Sequence, residues 1–368
     1  MQQKRLLVFH PIIAPYRIDF FNELNKSFKT RICLFWHNLK NQTFDYDKIL
    51  QQLNFSPIYL DKKIGPIRKG VFRQLQAFKP NIVITSEFGV ETLLSLLYKF
   101  IFRKKIKIIT ICDDSYDMLV NKNQFTWKHF AAEKILLPFI DDVIVVEPKV
   151  CDYIQKKYKK GIYFPIIQND TRIRNVLEKS LPISQRYIET FNLKGKKIFL
   201  FVGRLAKVKN LATVIPIFNH VLDNNSVFVI VGEGPCKSEL VNIAKNVDKI
   251  IFAGRYEGDD LYAWYNVADY FILPSTVEPF GAVTNEALLG GCFVLVSNKA
   301  GSKCLIREGL NGFEIDPYDS LQIEHKIYDL INSSKCKKKY DCVKDSLMPV
   351  SFNDCFHRLL SCIHKLDK

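Results

Sequence analysis

The chain has 368 residues, of which 48% are hydrophobic, 13% aromatic and 25% charged, and its formal net charge is +15. This length exceeds the size at which one core keeps growing, so two domains are expected, and the composition excludes a disordered chain. The positive charge predicts anionic partners. Since no helix-turn-helix, zinc-finger or RNA-binding motif is present, a lipid surface is favoured over nucleic acid.

The amino terminus and the cysteines predict the compartment. Met1 to Arg5 leads straight into an apolar run at 6–9 that is too short for a signal peptide. No apolar run reaches the ~20 residues of a membrane span. The ten cysteines have neither C-x-x-C nor zinc-type spacing. A cytoplasmic protein with reduced thiols is therefore expected.

The first half of the chain alternates between short apolar runs and helical patterns. Strands are predicted at 4–10, 31–36, 81–85, 107–112 and 142–146, and helices at 16–25, 66–79, 90–102, 127–137 and 147–160. Residues 38–61 have no clear period, and the polar stretch 171–192 is predicted to contain the interdomain linker. This alternation is typical of a doubly wound parallel sheet.

Charged residues follow three of these strands. Arg17 comes after the first strand, Glu87 after 81–85, and Asp113 and Asp114 after 107–112. Ligands bind at the carboxyl ends of parallel strands, so these four residues are candidates for an acceptor or cleft site. A surface arginine that closes the start of the next helix is the alternative for Arg17.

The helix at 90–102 is strongly apolar and runs into a basic segment at 103–107. An apolar face with a basic end suits a helix lying on an anionic membrane. A core helix whose end is covered by solvated lysines is the alternative. Further basic pairs at 62–63, 68–69, 156–157 and 159–160 favour the membrane interpretation if they share one face.

The second half repeats the alternation. Strands are predicted at 197–202, 227–231, 250–252, 270–273 and 293–297, and helices at 211–222, 236–246, 261–265, 282–289 and 351–368. The pattern predicts a second Rossmann-like domain.

The loop before the helix at 282–289 carries the strongest chemical signal. Glu278 and Gly281 precede this helix, and Glu286 lies about one turn into it. A helix N-terminus with a glycine attracts a phosphate, and two flanking carboxylates can accept hydrogen bonds from two sugars. The structural alternative makes Glu286 a salt-bridge residue on a helix face and Glu278 the start of a turn.

Glu278 and Glu286, separated by seven residues around Pro-Phe-Gly, resemble the E-x7-E signature of retaining glycosyltransferases of family 4. The resemblance continues through FVGRL (201–205), KN (209–210), VGEGP (231–235), FAG (252–254), AD (268–269), LPS (273–275) and GLNGF (309–313). Ala-Pro-Tyr-Arg at 14–17 is similar to a subgroup of that family. Many relatives have a histidine near Asp113, where this chain has Cys112 and Asp113.

The resemblance implies an α/β protein of GT-B fold, with two Rossmann-like doubly wound domains facing a cleft. Residues 1–180, with a terminal helix at 351–368 crossing back, would bind the acceptor, and residues 181–350 the donor. The implied activity is retaining hexosyl transfer from a UDP- or GDP-sugar to a glycan or lipid-linked acceptor, in surface polysaccharide or glycoconjugate synthesis. A peripheral position on the inner face of the plasma membrane would accompany it.

Two alternatives to this function stay open. One is a catalytically silent partner subunit that binds a nucleotide-sugar, and the other is a GT-B nucleotide-sugar epimerase.

By resemblance, Arg204 and Lys209 hold the donor diphosphate, Glu278 the hexose and Glu286 the ribose; Arg204, Lys209 and Glu278 form the predicted catalytic set. The other predicted donor-binding residues are Gly203, Arg255, Tyr256, Phe280, Gly281, Ala282 and Val283. None of the adjacent aspartate pairs has the metal-chelating D-x-D form. Neither a metal nor another cofactor is therefore expected, because Arg204 and Lys209 would neutralise the leaving group.

Overall fold

The computed structural model describes residues 3–38, 44–60, 63–64, 67–68, 70–121, 127–245, 248–333 and 341–366, without the side chains of 61–69 and 120–130. The chain forms two compact units. The first unit comprises Met1–Gln168 and Asn353–Lys368, and the second comprises Asn169–Phe352.

The first unit is built on a parallel sheet of seven strands. In chain order these are β1 (Arg5–His10), β2 (Lys29–Leu34), β3 (Ile58–Tyr59), β6 (Ile82–Ser86), β7 (Lys107–Cys112), β8 (Asp142–Val145) and β9 (Ile162–Tyr163), with a separate antiparallel hairpin of β4 (Lys63–Ile64) and β5 (Ile67–Arg68). The spatial order is β3-β2-β1-β6-β7-β8-β9. The strand order therefore reverses between β1 and β6, and such a switch point opens a crevice at the carboxyl ends of the strands.

The helices of the first unit connect these strands. They are α1 (Ile18–Ser27), α2 (Tyr46–Gln51), α3 (Val71–Phe78), α4 (Val90–Ile101), α5 (Tyr116–Asn121), α6 (Trp127–Leu136) and α7 (Pro148–Tyr158). The helix predicted at 66–79 begins only at Val71, because Gly70 adopts a φ of +102° that no helix can contain. Residues 38–61 also contain more structure than their sequence pattern indicated, since α2 and β3 both lie there.

The second unit has a six-stranded parallel sheet. Its strands are β10 (Lys197–Val202), β11 (Ser226–Val231), β12 (Ile250–Gly254), β13 (Tyr270–Leu273), β14 (Phe293–Ser297) and β15 (Gly312–Ile315), in the spatial order β12-β11-β10-β13-β14-β15. The central strands are buried over nearly their whole length, as continuous apolar runs require. The switch point of this sheet lies between β10 and β13.

The helices of the second unit are α8 (Asp170–Lys179), α9 (Leu181–Thr190), α10 (Leu211–Val221), α11 (Lys237–Ile243), α12 (Asp259–Val267), α13 (Val283–Leu289) and α14 (Ser320–Asn332). The prediction of a linker within 171–192 is wrong, because α8 and α9 fill almost all of it. The Asn169 side chain accepts a hydrogen bond from the Arg172 amide and caps α8, while Ile173 and Leu177 are buried on one face.

Helix α8 belongs to the second unit through specific contacts. The Arg174 guanidinium donates to the Leu289 carbonyl at 3.1 Å, and the Asn266 amide donates to the Leu177 carbonyl at 2.7 Å. The division between the units therefore falls before α8, at 168/169, whereas the sequence pattern placed it at 180/181.

The last helix, α15 (Phe352–Lys365), packs on the first unit. The Phe356 ring lies 6.4 Å from that of Phe20 and 6.2 Å from that of Phe164, and His364 lies 5.6 Å from Phe28. These aromatic contacts join the carboxyl end of the chain to α1.

Candidate functional site

An ion pair spans the switch point of the second unit. Lys209 lies in a short 3-10 turn after β10, and its ammonium group contacts the carboxylate of Glu278, which follows β13. Both side chains are largely buried, and the Ser275 hydroxyl donates to Glu278 Oε2 at 3.4 Å. The fold thus brings together two predicted catalytic residues that lie 69 positions apart in the chain.

The glycines beside this pair let three strand ends approach one another. A Cβ at Gly232 would lie 1.9 Å from the carbonyl oxygen of Gly203, and a Cβ at Gly234 would lie 2.3 Å from that of Leu205. The Gly203 amide donates to the Val231 carbonyl at 3.0 Å, and the Gly232 amide donates to the Gly254 carbonyl at 2.7 Å. Backbone packing at the ends of β10, β11 and β12 therefore requires glycine at 232 and 234.

The loop from Glu278 to α13 is fixed by its own packing. Gly281 has a φ of +91°, and a Cβ there would lie 2.6 Å from Leu273 Cδ2. Phe280 is buried, and its carbonyl accepts a hydrogen bond from the Ser302 amide at 2.8 Å. Helix α13 begins at Val283, preceded by Ala282 in a helical conformation, and both residues are partly exposed. The first amides of a helix have no intrahelical acceptor, so this loop presents N–H donors beside Glu278.

Glu286 lies on a buried face of α13, not on an exposed one. The hydroxyl of the buried Tyr265 donates to Glu286 Oε2 at 2.8 Å. The pKa of Tyr265 lies well above its ordinary value, mainly because the residue is buried and secondly because of the negative charge of Glu286. Tyr265 therefore stays protonated and holds the carboxylate of Glu286 in one orientation. Nothing in the sequence indicates this contact except the rule that a buried phenol needs a hydrogen-bond partner.

The remaining predicted donor-site residues lie at the same edge of the sheet. Arg204 is exposed directly after Gly203. Arg255 follows β12, is exposed, and forms an ion pair with Glu257. Tyr256 packs its ring 5.5 Å from that of Tyr187. All the predicted donor-site residues thus follow β10, β12 or β13 at the carboxyl edge of one sheet.

A second charged cluster lies at the switch point of the first unit. Arg17, after β1, forms an ion pair with Asp113, after β7. The Asp113 amide donates to Glu87 Oε1 at 3.2 Å, and the Cys112 thiol donates to Asp114 Oδ2 at 3.3 Å. Arg17 is only 2% exposed, so the alternative of a surface arginine is wrong. All four predicted acceptor or cleft residues belong to this cluster.

Burial governs the electrostatics of this first-unit cluster. Burial, together with the charges of Asp114 and Asp113, raises the pKa of Glu87 well above its ordinary value. Glu87 Oε2 and Arg17 Nη1 are buried atoms without a hydrogen-bond partner. Glu87 also has a φ of +58°, which is uncommon for a residue other than glycine. The cluster therefore offers unsatisfied polar atoms at the position where the sheet opens.

Two buried polar residues at the carboxyl ends of strands in the same sheet were missed by the sequence analysis. His10 ends β1 in a buried position, with Nδ1 2.6 Å from the Ile12 carbonyl oxygen. Burial and the nearby Arg17 lower the His10 pKa to about 4. Glu147, after β8, is buried and accepts a hydrogen bond from the Tyr116 amide at 2.7 Å. A polar residue at or just beyond the carboxyl end of a buried strand is the signal that could have identified both.

The side chains of Glu87, Cys112 and Asp114 also merit consideration as metal ligands. One ligand atom from each lies within 4.8 Å of the others. Burial raises the pKa of both the Cys112 thiol and the Glu87 carboxyl, which favours their neutral forms, whereas a metal needs thiolate and carboxylate. Arg17 already places a positive charge beside Asp113. The donor set therefore fits a cluster of hydrogen-bonded acids better than a cation site.

Comparison with known proteins finds similarity in the second unit to glycosyltransferases. Residues 185–344 match the family described as "Glycosyl transferases group 1". An uncharacterized glycosyltransferase of Methanocaldococcus jannaschii is 34% identical over 33% of this chain and 32% of its own length. The alpha-monoglucosyldiacylglycerol synthase of Streptococcus pneumoniae is 30% identical over 32% of this chain and 28% of its own length. The chain thus matches about a third of the length of these curated relatives.

Similarity to solved structures extends over the whole chain. The Anabaena protein HepE, crystallised in complex with UDP, superposes with a TM-score of 0.76 at 14% identity, over 98% of this chain and 100% of that one. The predicted GT-B fold, with its two Rossmann-like units, is therefore confirmed.

Proposed function

We propose that this chain is a retaining glycosyltransferase that moves a sugar from a UDP- or GDP-sugar to a glycan or lipid-linked acceptor. The segment that matches the glycosyltransferase family contains the Lys209–Glu278 pair, and this pair carries the proposal. It lies at the switch point of a doubly wound sheet, where such sheets bind their ligands. UDP in the complex of the structurally similar Anabaena protein supports a nucleotide-diphosphate donor.

The donor site is proposed to hold three parts of the nucleotide-sugar. Lys209 and the exposed Arg204 bind the diphosphate, together with the amides at 281–283. Glu278 accepts hydrogen bonds from the transferred hexose, and Glu286, oriented by Tyr265, accepts them from the ribose. Phe280 shapes the pocket through its fixed backbone, and the backbone near Arg255 and Tyr256 holds the base.

Charge stabilisation supplies the main catalytic effect in this proposal. Negative charge grows on the diphosphate as the glycosidic bond breaks, and fixed cations lower the energy of that transition state. The ion pair with Glu278 holds Lys209 in position before the donor arrives, so little reorganisation is needed. We propose front-face retention, in which the leaving phosphate accepts the proton of the acceptor hydroxyl. Because Arg204 and Lys209 neutralise the leaving group, the reaction is expected to proceed without a metal.

The cluster at the switch point of the first unit is proposed to bind the acceptor. Protonated Glu87 can donate a hydrogen bond, while Asp113 can accept one from an acceptor hydroxyl. Arg17 forms an ion pair with Asp113, and Asp114 lies on the same loop. The similarity to an alpha-monoglucosyldiacylglycerol synthase supports a lipid-linked acceptor at the cytoplasmic membrane surface. Surface polysaccharide or glycoconjugate synthesis is the proposed setting.

The first experiment measures thermal stabilisation and hydrolysis with UDP-, GDP-, ADP- and CMP-sugars in the presence of EDTA. We expect one nucleotide class to raise the melting temperature and to be hydrolysed slowly. Lys209→Ala and Glu286→Ala should weaken that stabilisation. Lys207→Ala removes an exposed lysine from the same turn and serves as the matched control.

Four outcomes would contradict the proposal or one part of it. The donor site is wrong if no nucleotide-sugar stabilises the folded protein, or if Lys207→Ala weakens binding as much as Lys209→Ala does. A requirement for divalent metal would contradict the catalytic part alone. Inversion of the anomeric configuration, detected by NMR of the product, would contradict retention.

A further inference from the structure

The outer face of α4 carries large apolar side chains that the fold leaves uncovered. Leu93, Leu97, Phe100 and Ile101 recur at helical spacing and are 43%, 39%, 55% and 64% exposed. The opposite face of the same helix packs into the core through Leu94, Leu96 and Tyr98. Helix α4 is therefore apolar on both sides. Packing into the core accounts for one apolar side but not for the exposed one.

Neighbouring elements extend this face. The Phe139 ring, 56% exposed, lies 6.0 Å from that of Phe100 in an edge-to-face contact. Ile135 at the end of α6 and Phe102 after α4 are also exposed. We define the apolar patch as Leu93, Leu97, Phe100, Ile101, Phe102, Ile135 and Phe139. A cluster of exposed apolar side chains of this kind on a globular unit is typical of an interaction surface.

Hydrogen bonds from two lysines hold the patch together at the amino edge of the sheet. Lys99 Nζ donates to Asp141 Oδ2 at 2.7 Å and joins α4 to the loop that carries Phe139. Lys160 Nζ donates to the carbonyls of Leu137 and Ile140 at 2.8 and 2.6 Å, joining the end of α7 to the same loop. These contacts lie at the starts of the strands, at the edge opposite the Glu87 cluster.

Exposed basic residues surround the same edge. We define the basic rim as Arg103, Lys104, Lys105, Lys134, Lys156, Lys157 and Lys159, all of which are exposed. Asp141 is already paired with Lys99, so it does not offset the positive charge of the rim. The basic pairs at 62–63 and 68–69 lie outside the residues whose side chains are described. An apolar surface bordered by cations matches a bilayer with anionic headgroups.

We propose that the apolar patch and the basic rim form a docking surface for an anionic lipid bilayer. The rim binds the headgroups, and the patch inserts its side chains between them. Helix α4 lies on the membrane and does not cross it, since none of the helices in the described ranges is both long and apolar enough to span a bilayer. A second copy of the chain is a poorer occupant, because a two-fold interface here would place the basic rims of the two copies against each other.

Vesicle flotation tests this surface directly. The wild-type chain should bind vesicles of phosphatidylglycerol and phosphatidylcholine, and bind phosphatidylcholine alone weakly. Phe100→Ser with Ile101→Ser should weaken binding by at least about tenfold, because the inserted apolar area is lost. Replacing Arg103, Lys104 and Lys105 by Gln should remove the preference for anionic vesicles and its dependence on salt.

The matched control is Leu321→Ser, on α14 of the second unit, where the side chain is 67% exposed. This variant should bind vesicles like the wild type. Nucleotide-dependent thermal stabilisation should be unchanged in every variant, which separates failure of this surface from failure of the proposed donor site.

Three outcomes would overturn the proposal. The first is a wild-type chain that does not bind anionic vesicles. The second is binding that the Phe100/Ile101 variant retains. The third is a wild-type dimer in light scattering that this variant converts to a monomer without any vesicle binding, which would identify a second copy as the occupant.

Discussion

The close approach of Gly232 to Gly203 makes one substitution unusually informative. In Gly232→Ala the new Cβ would lie 1.9 Å from the Gly203 carbonyl oxygen, whereas real Cβ contacts stay beyond 3.0 Å. The end of β10 must therefore retreat by about 1 Å, since a packed interior has no room to absorb the atom. That movement shifts the loop bearing Arg204 and Lys209.

The expected loss of stability in Gly232→Ala has two parts. Gly232 has a φ of +150°, and holding a side chain in this nearly glycine-only conformation costs about 1–3 kcal/mol. Overpacking adds about 1–3 kcal/mol, so the unfolding free energy should fall by about 2–6 kcal/mol in all. A misplacement of about 1 Å at a catalytic loop can lower kcat/KM by about 100-fold. Gly309→Ala is the control, because Gly309 has a φ of +77° with open space around it.

Differential scanning fluorimetry with and without the stabilising nucleotide measures both effects. Gly309→Ala should lose only the stability that the positive φ costs, and should keep its nucleotide-dependent rise in melting temperature. Gly232→Ala should lose most of that rise. Equal destabilisation of the two variants, with nucleotide binding intact in both, would refute the claim that close packing of the strand ends positions the donor loop.

Three further predictions concern buried polar groups. Tyr265→Phe should lower the unfolding free energy by about 1.5–3 kcal/mol, because it removes the hydroxyl that donates a hydrogen bond to the Glu286 carboxylate. Calorimetry should also show weaker nucleotide binding, and an unchanged affinity would remove Glu286 from the ribose site. The raised pKa of Glu87 means that the unfolded chain releases a proton that the folded chain keeps, so stability falls as pH rises above 4.5. Glu87→Gln should therefore melt higher than the wild type above neutrality and equally at acid pH, and a lower melting temperature at every pH would contradict this. His10, with its pKa lowered from 6.5 to about 4, has the opposite effect on stability. Below pH 6.5 the unfolded chain binds a proton that the folded chain does not bind, and this lowers the unfolding free energy by about 3 kcal/mol by pH 4. His10→Gln should flatten that acid decline in melting temperature, and an unchanged slope would assign the decline to other groups.

The strands were the most predictable part of the fold. The bounds predicted for 107–112, 197–202, 270–273 and 293–297 are those observed. Central strands of a parallel sheet are buried on both faces, so their sequences are uninterrupted apolar runs with clear ends. Helices α8 and α9 were missed because they have narrow apolar faces, and a mostly polar stretch resembles a linker until its partners are known.

The sequence by itself determined the residue types of the candidate sites and their places after particular strands. Only the tertiary structure decided which of them meet. Lys209 contacts Glu278 across 69 positions, and Arg17 contacts Asp113 across 96, because each strand order reverses beside β1 or β10. The outer face of α4 shows the same division. Its apolar and basic residues are readable in the chain, but exposure depends on which neighbours pack against a helix, and that is fixed only by the fold.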